Sequence, residues 1–178
     1  MQRAVRHSLK PRLVAIAPTA GDVVQHAGGW LFDLVMAGWD VTVITPELTD
    51  DTSLQILGVR PHTLESVLAY RADGSCLSAI ALSADMLGAD ERVRGMVLAA
   101  VESGLPELRV WGAGDGDRDG MPAELTQRSA QVAHRLSAAA RAFKAQALAA
   151  AAVCGEGPAD TEVFRRGEPR RLSLAAAH

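Results

Sequence analysis

Two short runs of apolar and β-branched residues near the start of the chain restrict the fold more than any other feature of the sequence. Residues 13–17 are wholly apolar, and residues 41–44 are all β-branched. Runs of this kind are typical of strands that are buried on both faces of a sheet. Between the two runs, apolar residues recur at three- and four-residue spacing and predict a helix with one buried face: Val24, Ala27, Leu31, Leu34 and Val35.

The predicted helix also carries boundary signals at both ends. Asp22 is suited to cap its N-terminus, and Gly38 stands where a C-terminal glycine is expected. Two strands joined by one helix form a crossover unit, in which the strands are parallel and the connection is right-handed. Residues 13–44 therefore predict the start of a parallel sheet with helices on its faces.

Strand and helix patterns continue to alternate further along the chain. Residues 54–59 favour a third strand, residues 77–82 form another apolar segment, and Asp90 is expected to open a helix. Residues 108–111 predict a strand at an edge or half-exposed position, because charged residues alternate with apolar ones there. The alternation predicts an α/β fold, with a Rossmann-like, mostly parallel sheet and flanking helices.

The domain organisation follows from where these patterns stop. We expect an N-terminal tail (residues 1–10), a Rossmann-like α/β domain (11–113), a Gly/Asp-rich hinge (114–121), a long C-terminal helix (122–154) and a disordered tail (155–178). The last segment lacks apolar periodicity and carries two arginine pairs, which is typical of disorder.

The long C-terminal helix is predicted from an apolar stripe that begins after Pro122, a residue suited to a first helical turn. A helix of about thirty residues would be ~45 Å long, longer than a small sheet is wide, so its far half would protrude. We expect a homodimer to bury this surface through a partner interface of Val132, Leu136 and Phe143.

Composition excludes several classes of protein. A chain of 178 residues with a formal charge of −3 holds one domain and lacks the charge excess of proteins that coat duplex nucleic acid. Its longest nearly uncharged apolar stretch, residues 145–153, falls short of the ~20 residues of a membrane-spanning helix. Without a secretory signal or a disulfide framework, the expected location is cytoplasmic.

Residues 17–45 carry a resemblance to a known family. They read APTAGDVVQHAGGWLFDLVMAGWDVTVIT. This segment resembles the opening of the PIG-L/LmbE-type zinc-dependent N-acetylglucosaminyl deacetylases, in which a first strand leads into an Ala/Pro-His-Pro-Asp-Asp-Glu loop, a Gly-Gly helix and a Gly-x-x-Val-Thr-Val-Val-Thr strand. The match needs no gap, ends at Thr45 and includes Pro18, Asp22, residues 27–29, Leu31, residues 37–38 and residues 41–45.

The departures from the family pattern fall on its chemistry. In the family, the loop histidine and the second aspartate bind zinc, the first aspartate activates the metal-bound water, and a distant histidine completes the site. The resemblance places Thr19 at the histidine position, Gly21 at that of the base and Asp22 at that of the second aspartate. Catalytic zinc needs three protein ligands and an open position for water, so one retained ligand is too few.

Three functions from different classes are consistent with these residues. The first is a non-catalytic relative that needs no cofactor and binds a small anionic or sugar-like ligand in the loop after the first strand, at Thr19, Ala20, Gly21, Asp22 and Val23. The second is an enzyme, either glycosyltransferase-like or a deacetylase whose zinc is held by Asp22 and His26 together with His62. The third is a structural dimer or assembly subunit built on the long helix.

Other motifs in the chain are incomplete. The dinucleotide and phosphate-loop fingerprints are absent, and no serine lies in a Gly-x-Ser-x-Gly elbow. Residues 115–120 match the first half of a calcium-binding loop, but Thr126 stands where the bidentate glutamate is needed. We interpret this segment as an acidic linker.

Overall fold

The strand–helix–strand unit that the sequence predicts opens the fold. The structure, a computed structural model, describes residues 10–48, 51–69, 77–104, 107–112, 126–154 and 157–169. Strand β1 (Arg12–Ile16) leads into helix α1 (Ala20–Met36), and strand β2 (Asp40–Thr45) runs parallel to β1. Gly38 follows the helix with a φ of 91°, a conformation that glycine adopts without strain.

The remaining elements form one sheet with β1 and β2. They are α2 (Thr52–Ile56), β3 (Arg60–Thr63), α3 (Leu64–Ala69), β4 (Ala79–Ser83), α4 (Ala84–Ala89), α5 (Glu91–Glu102), β5 (Glu107–Trp111), β6 (Thr126–Arg135), α6 (Ala138–Ala150) and β7 (Thr161–Pro169). The strand order is β3-β2-β1-β4-β5-β7-β6. Strands β1 to β5 are parallel, and β7 is antiparallel to both of its neighbours. The predicted α/β fold with a mostly parallel sheet and flanking helices is confirmed.

Alternation of side chains along the strands divides the core into two layers. In β4, Ala79 and Ala81 belong to the layer of α1, α2 and α6, whereas Ile80 and Leu82 belong to the layer of α3, α4 and α5. All four side chains are at most 2% exposed. Burial of apolar strand residues on both faces is what stabilises a parallel sheet.

The predicted long helix over residues 122–154 is wrong. Its first half contains β6 and its second half contains α6, with Leu136 and Ser137 between them. Along β6, Val132 and His134 are half-buried, whereas their immediate neighbours are exposed. This period of two is that of a strand. The spacing of four between Val132 and Leu136 imitates a helical stripe, although it spans two different elements.

The predicted disordered tail over residues 155–178 contains β7, so this expectation is wrong for that segment, whereas residues 155–156 and 170–178 lie outside the described residues. β7 lies between β5 and β6, with Arg165 opposite Val110. Its inward-facing residues include Glu162 and Phe164, which are 4% and 1% exposed. A strand that buries a glutamate beside a phenylalanine shows too little apolar alternation to be found by its pattern.

Two expectations for the middle of the chain are corrected. Residues 54–59 contain the end of α2 and a turn rather than a strand, because Leu54 and Leu57 are buried together at helical spacing. β5 is an interior strand rather than an edge strand, although its charged residues Glu107 and Arg109 are half-exposed, as the other alternative predicts. It accommodates Arg109 because this guanidinium lies over the ring of Trp30, 4.4 Å from the ring centroid.

Other expectations have mixed outcomes. The helix that Asp90 opens is confirmed as α5, whose first N–H groups donate to the Asp90 carboxylate. The hinge (114–121) and residues 1–9 of the predicted N-terminal tail lie outside the described residues. Among the helices that the structure describes, none combines the length and the apolar composition needed to cross a bilayer.

The three residues of the predicted partner interface have different surroundings. Leu136 is 5% exposed and belongs to the core beside α1, so it is not available to a partner. Val132 is partly buried against the same core. Phe143 is 45% exposed and stacks on Phe32, with 4.6 Å between ring centroids. Phe143 is therefore the accessible member of the three.

Candidate functional site

A cavity of about 650 Å³ lies beside the loop that follows β1. One side of the cavity, its floor, is formed by residues 18–22 and 25, which belong to this loop and to the first turns of α1. Residues 150–153, at the C-terminal end of α6, contribute the opposite wall, and Ser53 of α2 also lines the cavity. The site therefore joins three segments that are distant in sequence.

Thr19 determines how the loop enters α1. Its extended backbone and its position make it the N-cap, and its hydroxyl accepts a hydrogen bond from the Asp22 N–H at 3.1 Å. The expectation that Asp22 itself is the cap is wrong. Asp22 lies in the first turn instead, where a carboxylate is stabilised by the positive end of the helix dipole.

The structure brings together most of the ligand-binding residues that the sequence predicts. Thr19, Ala20, Gly21 and Asp22 line the cavity. Val23 does not, because it is fully buried in the core. Sequence reasoning missed Gln25, Ser53 and the wall of residues 150–153, because no local signal relates those segments to the loop after β1.

Helix α6 ends at the cavity wall, and one residue of this helix end has a strained backbone conformation. The Val153 N–H donates to the Leu148 carbonyl and the Ala152 N–H to the Ala149 carbonyl, the two bonds of a Schellman motif. This motif requires a left-handed residue, and Ala152 supplies it with a φ of 52°. Glycine is the usual choice, since a residue with a Cβ atom costs roughly 1–2 kcal/mol in this conformation.

The carboxylate of Asp22 is engaged by the protein itself. Its Oδ2 atom accepts a hydrogen bond from the Trp111 indole N–H at 2.8 Å. Its Oδ1 atom lies 3.7 Å from Nε2 of His26, one turn further along α1. Trp111 is the last residue of β5 and is 1% exposed, so this contact ties the end of that strand to the start of α1.

Gly21 stands close to the cavity wall. A Cβ atom at this position would lie 3.1 Å from Cγ2 of Val153 and 3.8 Å from Oγ1 of Thr19. A side chain here would therefore have to displace Val153. The position that the resemblance assigns to the catalytic base lacks a carboxylate and is bordered by an aliphatic side chain.

Among the residues that the structure describes, the metal donors beside Asp22 are fewer than a catalytic zinc ion needs. Asp22 and His26 are neighbours, and Oδ2 of Asp22 accepts a hydrogen bond from the Trp111 N–H. His62 lies on β3, whose strand is separated from β1 by β2. Among the described residues, no three histidine, cysteine, aspartate or glutamate side chains are grouped as metal ligands. Catalytic zinc requires three such ligands and an open position.

A buried ion pair anchors the cavity wall to its floor. The Lys144 ammonium of α6 donates to Oε1 of Glu162 at 2.5 Å and to the carbonyl of Gln25 at 2.7 Å. The Glu162 carboxylate also accepts the N–H groups of Gly29 and Trp30 in α1, at 2.9 and 2.8 Å. Both charged side chains are nearly inaccessible to solvent. These hydrogen bonds connect α6 and β7 directly to α1.

Gly29 makes this close approach sterically feasible. A Cβ atom on Gly29 would lie 1.4 Å from Cδ2 of Leu136 and 3.3 Å from Oε1 of Glu162. The second glycine of the pair, Gly28, is less crowded, since its Cβ would lie 3.3 Å from Cδ1 of Leu57. The Gly-Gly sequence of α1 therefore serves helix and strand packing.

A second polar contact joins α1 to the β6–α6 turn. Oδ2 of Asp33 lies 2.8 Å from Nε2 of His134 and accepts the Ser137 N–H at 3.2 Å. Burial acts to raise the pKa of Asp33, but hydrogen bonds from Ser137 and His134 outweigh it and hold the pKa below its usual value. The Ser137 hydroxyl accepts the Ala140 N–H and caps α6. The carboxylate lies between imidazole and serine, which is not the order of a nucleophilic triad.

Solved structures of deacetylases share this fold. The zinc-inhibited form of a teicoplanin deacetylase gives a TM-score of 0.62 at 15% identity, with 91% of this chain and 100% of that chain covered. A triple mutant of a deacetylase from the teicoplanin biosynthetic pathway gives 0.61 at 17% identity, with 92% and 100% covered. The deacetylase of the A40926 pseudoaglycone gives 0.56 at 17% identity, with 95% and 100% covered.

These identities are low, so the likeness establishes the fold. No protein-family model and no curated protein matches the sequence. The chain therefore has a deacetylase-like α/β fold, in agreement with the resemblance seen in residues 17–45.

Proposed function

We propose that this protein binds a small ligand without converting it, in the cavity between the loop after β1 and the C-terminal end of α6. The hydrogen bond between Trp111 and Asp22 carries this proposal. It gives the carboxylate at the zinc-ligand position a structural role that needs no metal, because the bond joins β5 to α1. Gly21 beside Val153 adds support, because no base is present there. A fold can persist while its original chemistry is lost.

The proposed ligand is small and either anionic or sugar-like. The cavity volume of about 650 Å³ lies in the range of small-molecule sites, ~300–1,000 Å³. Thr19, Asp22, Gln25 and Ser53 offer hydrogen-bonding side chains around it. We expect no cofactor to be required, because these groups bind a polar molecule directly.

A second candidate is a zinc-dependent sugar-amide deacetylase. The likeness to deacetylase structures favours it. This reading needs zinc ligands in addition to Asp22 and His26, contributed by residues outside the described part of the chain or by a second copy. Zinc would then activate a water molecule for attack on the amide carbonyl.

One sample separates the two candidates. Protein purified without chelator is weighed by native mass spectrometry and assayed for zinc by elemental analysis, and acetate release from N-acetylglucosamine is followed with added zinc. Metal-free protein that binds the sugar without releasing acetate supports the binding function. Stoichiometric zinc that is lost in Asp22→Ala, together with acetate release, supports the deacetylase and overturns the first proposal.

A third candidate concerns assembly. We propose that the protein forms a homodimer around Phe143, which stacks on Phe32 of α1. We also propose that the protein is cytoplasmic. Met36, one turn beyond Phe32, is 70% exposed and extends the apolar surface. Light scattering of wild-type protein and Phe143→Glu tests the dimer. Identical mass and stability for the two proteins would overturn this assembly.

A further inference from the structure

Ser53 presents a buried hydroxyl group to the cavity. The residue is 2% exposed, yet it lines the cavity wall. Among the described residues, none is hydrogen-bonded to this hydroxyl, and no polar side-chain atom that is fully sealed from solvent lacks a partner. The hydroxyl of Ser53 is therefore not fully sealed from solvent, and the cavity that the residue lines is a place from which a ligand can reach it. A buried polar group in this position calls for a hydrogen-bonding partner.

Ala152 supplies a second, independent feature of the same cavity. It lines the wall and keeps a left-handed backbone where glycine would be free of strain. Glycine would also remove the methyl group from the wall. Strained residues persist where the surrounding structure or the function requires them, and they cluster at ligand sites.

The charges around the cavity restrict the ligand further. Asp22 is the ionisable side chain among the lining residues, and no lysine or arginine of the described chain lines the cavity. The negative charge of Asp22 also lies at the N-terminus of α1, where an anion would otherwise be stabilised. A phosphate or carboxylate group would meet this charge without a compensating cation.

We propose that Ser53 and Ala152 select the ligand of this cavity, which is an uncharged, hydroxylated small molecule rather than an anion. One hydroxyl or carbonyl group of the ligand hydrogen-bonds to the Ser53 hydroxyl, and an aliphatic face of the ligand packs on Ala152. This inference rests on the proposed binding function and narrows it, because it excludes the anionic class and names two residues that the loop after β1 does not contain.

The first test uses stability without any ligand. Ser53→Ala should leave the Tm of the full chain unchanged, because none of the described residues is hydrogen-bonded to this hydroxyl. Ser137→Ala is the matched control and should lower the Tm, since that hydroxyl caps α6. Ala152→Gly should raise the Tm because it relieves the left-handed strain. A clear loss of Tm in Ser53→Ala would overturn the inference.

The second test measures binding by calorimetry, with N-acetylglucosamine as the uncharged probe and inorganic phosphate as the anionic probe. Ser53→Ala should weaken binding of the sugar roughly three- to tenfold, the usual effect of one lost hydrogen bond. Ala152→Gly should weaken it about threefold despite its higher Tm. Ser137→Ala should bind the sugar as wild type does.

The outcomes separate this inference from the function on which it rests. If the wild type binds the sugar and both Ser53→Ala and Ala152→Gly bind it with the same affinity, the proposed roles of these two residues are overturned. The binding function then remains supported. Tight binding of phosphate would overturn the uncharged class alone. Failure of both probes to bind wild-type protein would overturn the binding function together with the inference.

Discussion

The indole N–H of Trp111 donates a hydrogen bond to the carboxylate of Asp22 at 2.8 Å, across 89 positions of sequence. This contact places the end of β5 against the first turn of α1, at the edge of the candidate ligand cavity. A carboxylate used in this way contributes to folding.

Asp22→Ala should therefore destabilise the protein. Hydrogen bonds to charged groups contribute about 1.5–3 kcal/mol, so we expect a loss of that order in the free energy of unfolding. Asp22→Asn should lose less, because its amide oxygen can still accept the indole proton. Urea denaturation measures the loss, and the Trp111 indole resonance in an NMR spectrum should move in Asp22→Ala.

Gln25→Ala provides the control for Asp22, since Gln25 lines the same cavity with an exposed side chain. It should change the free energy of unfolding by no more than about 0.5 kcal/mol. Equal stability of Asp22→Ala and wild type would contradict the structural role of Asp22.

Gly29→Ala should destabilise the protein by about 1–3 kcal/mol, the usual effect of overpacking a core. The added methyl group would overlap Cδ2 of Leu136, which is buried beneath α1. Guanidinium denaturation gives the difference. The double variant Gly29→Ala/Leu136→Ala removes the overlap and should lose less than the two single losses combined.

Gly95→Ala is the matched control for Gly29. Gly95 also lies in a helix, α5, but a Cβ atom there would meet no atom within 4 Å. The substitution should stabilise the protein by roughly 0.5–1 kcal/mol through helix propensity. If both glycine variants gain stability, the close approach at Gly29 is not as tight as described.

Lys144→Met should cost about 3–5 kcal/mol, because it leaves the Glu162 carboxylate buried without its cation. In the double variant Lys144→Met/Glu162→Gln the uncompensated charge is gone, so the two losses should not add. Thermal and chemical denaturation of Lys144→Met, Glu162→Gln and the double variant measures this coupling.

Arg141→Ala is the control for Lys144 on the same helix. Arg141 pairs with Asp160 at 2.7 Å, but both side chains are exposed, so the loss should stay below about 1 kcal/mol. Losses of similar size for Arg141→Ala and Lys144→Met would show that the buried pair is not coupled to folding as proposed.

Acid should weaken the contact between α1 and the β6–α6 turn. The pKa of Asp33 is lowered in the folded protein, so its ionised form contributes stability above the ordinary pKa, and this contribution is lost as the pH falls through the lowered value. Wild-type protein should therefore lose its advantage over Asp33→Asn as the pH falls below the ordinary aspartate pKa of about 3.9. Parallel curves for the two proteins over this range would count against the contact.

Local pattern was sufficient for the first part of the fold. Residues 13–16 and 41–44 lie in β1 and β2, because short continuous apolar or β-branched runs are typical of strands that are buried on both faces of a sheet. Asp90 opens α5 because its carboxylate accepts the first free N–H groups, a contact within three residues. Such features depend on neighbours in the chain, and a sequence displays neighbours directly.

The last third of the chain could not be read in this way. β7 forms because β5 offers it a hydrogen-bonding edge, and the burial of Glu162 depends on Lys144 and on two N–H groups of α1. The cavity likewise needs the α6 terminus placed over the loop after β1, more than 120 positions away. The sequence alone predicts the residues of the loop after β1 as a binding site. Ser53 and Ala152, in contrast, become part of this site only through tertiary packing.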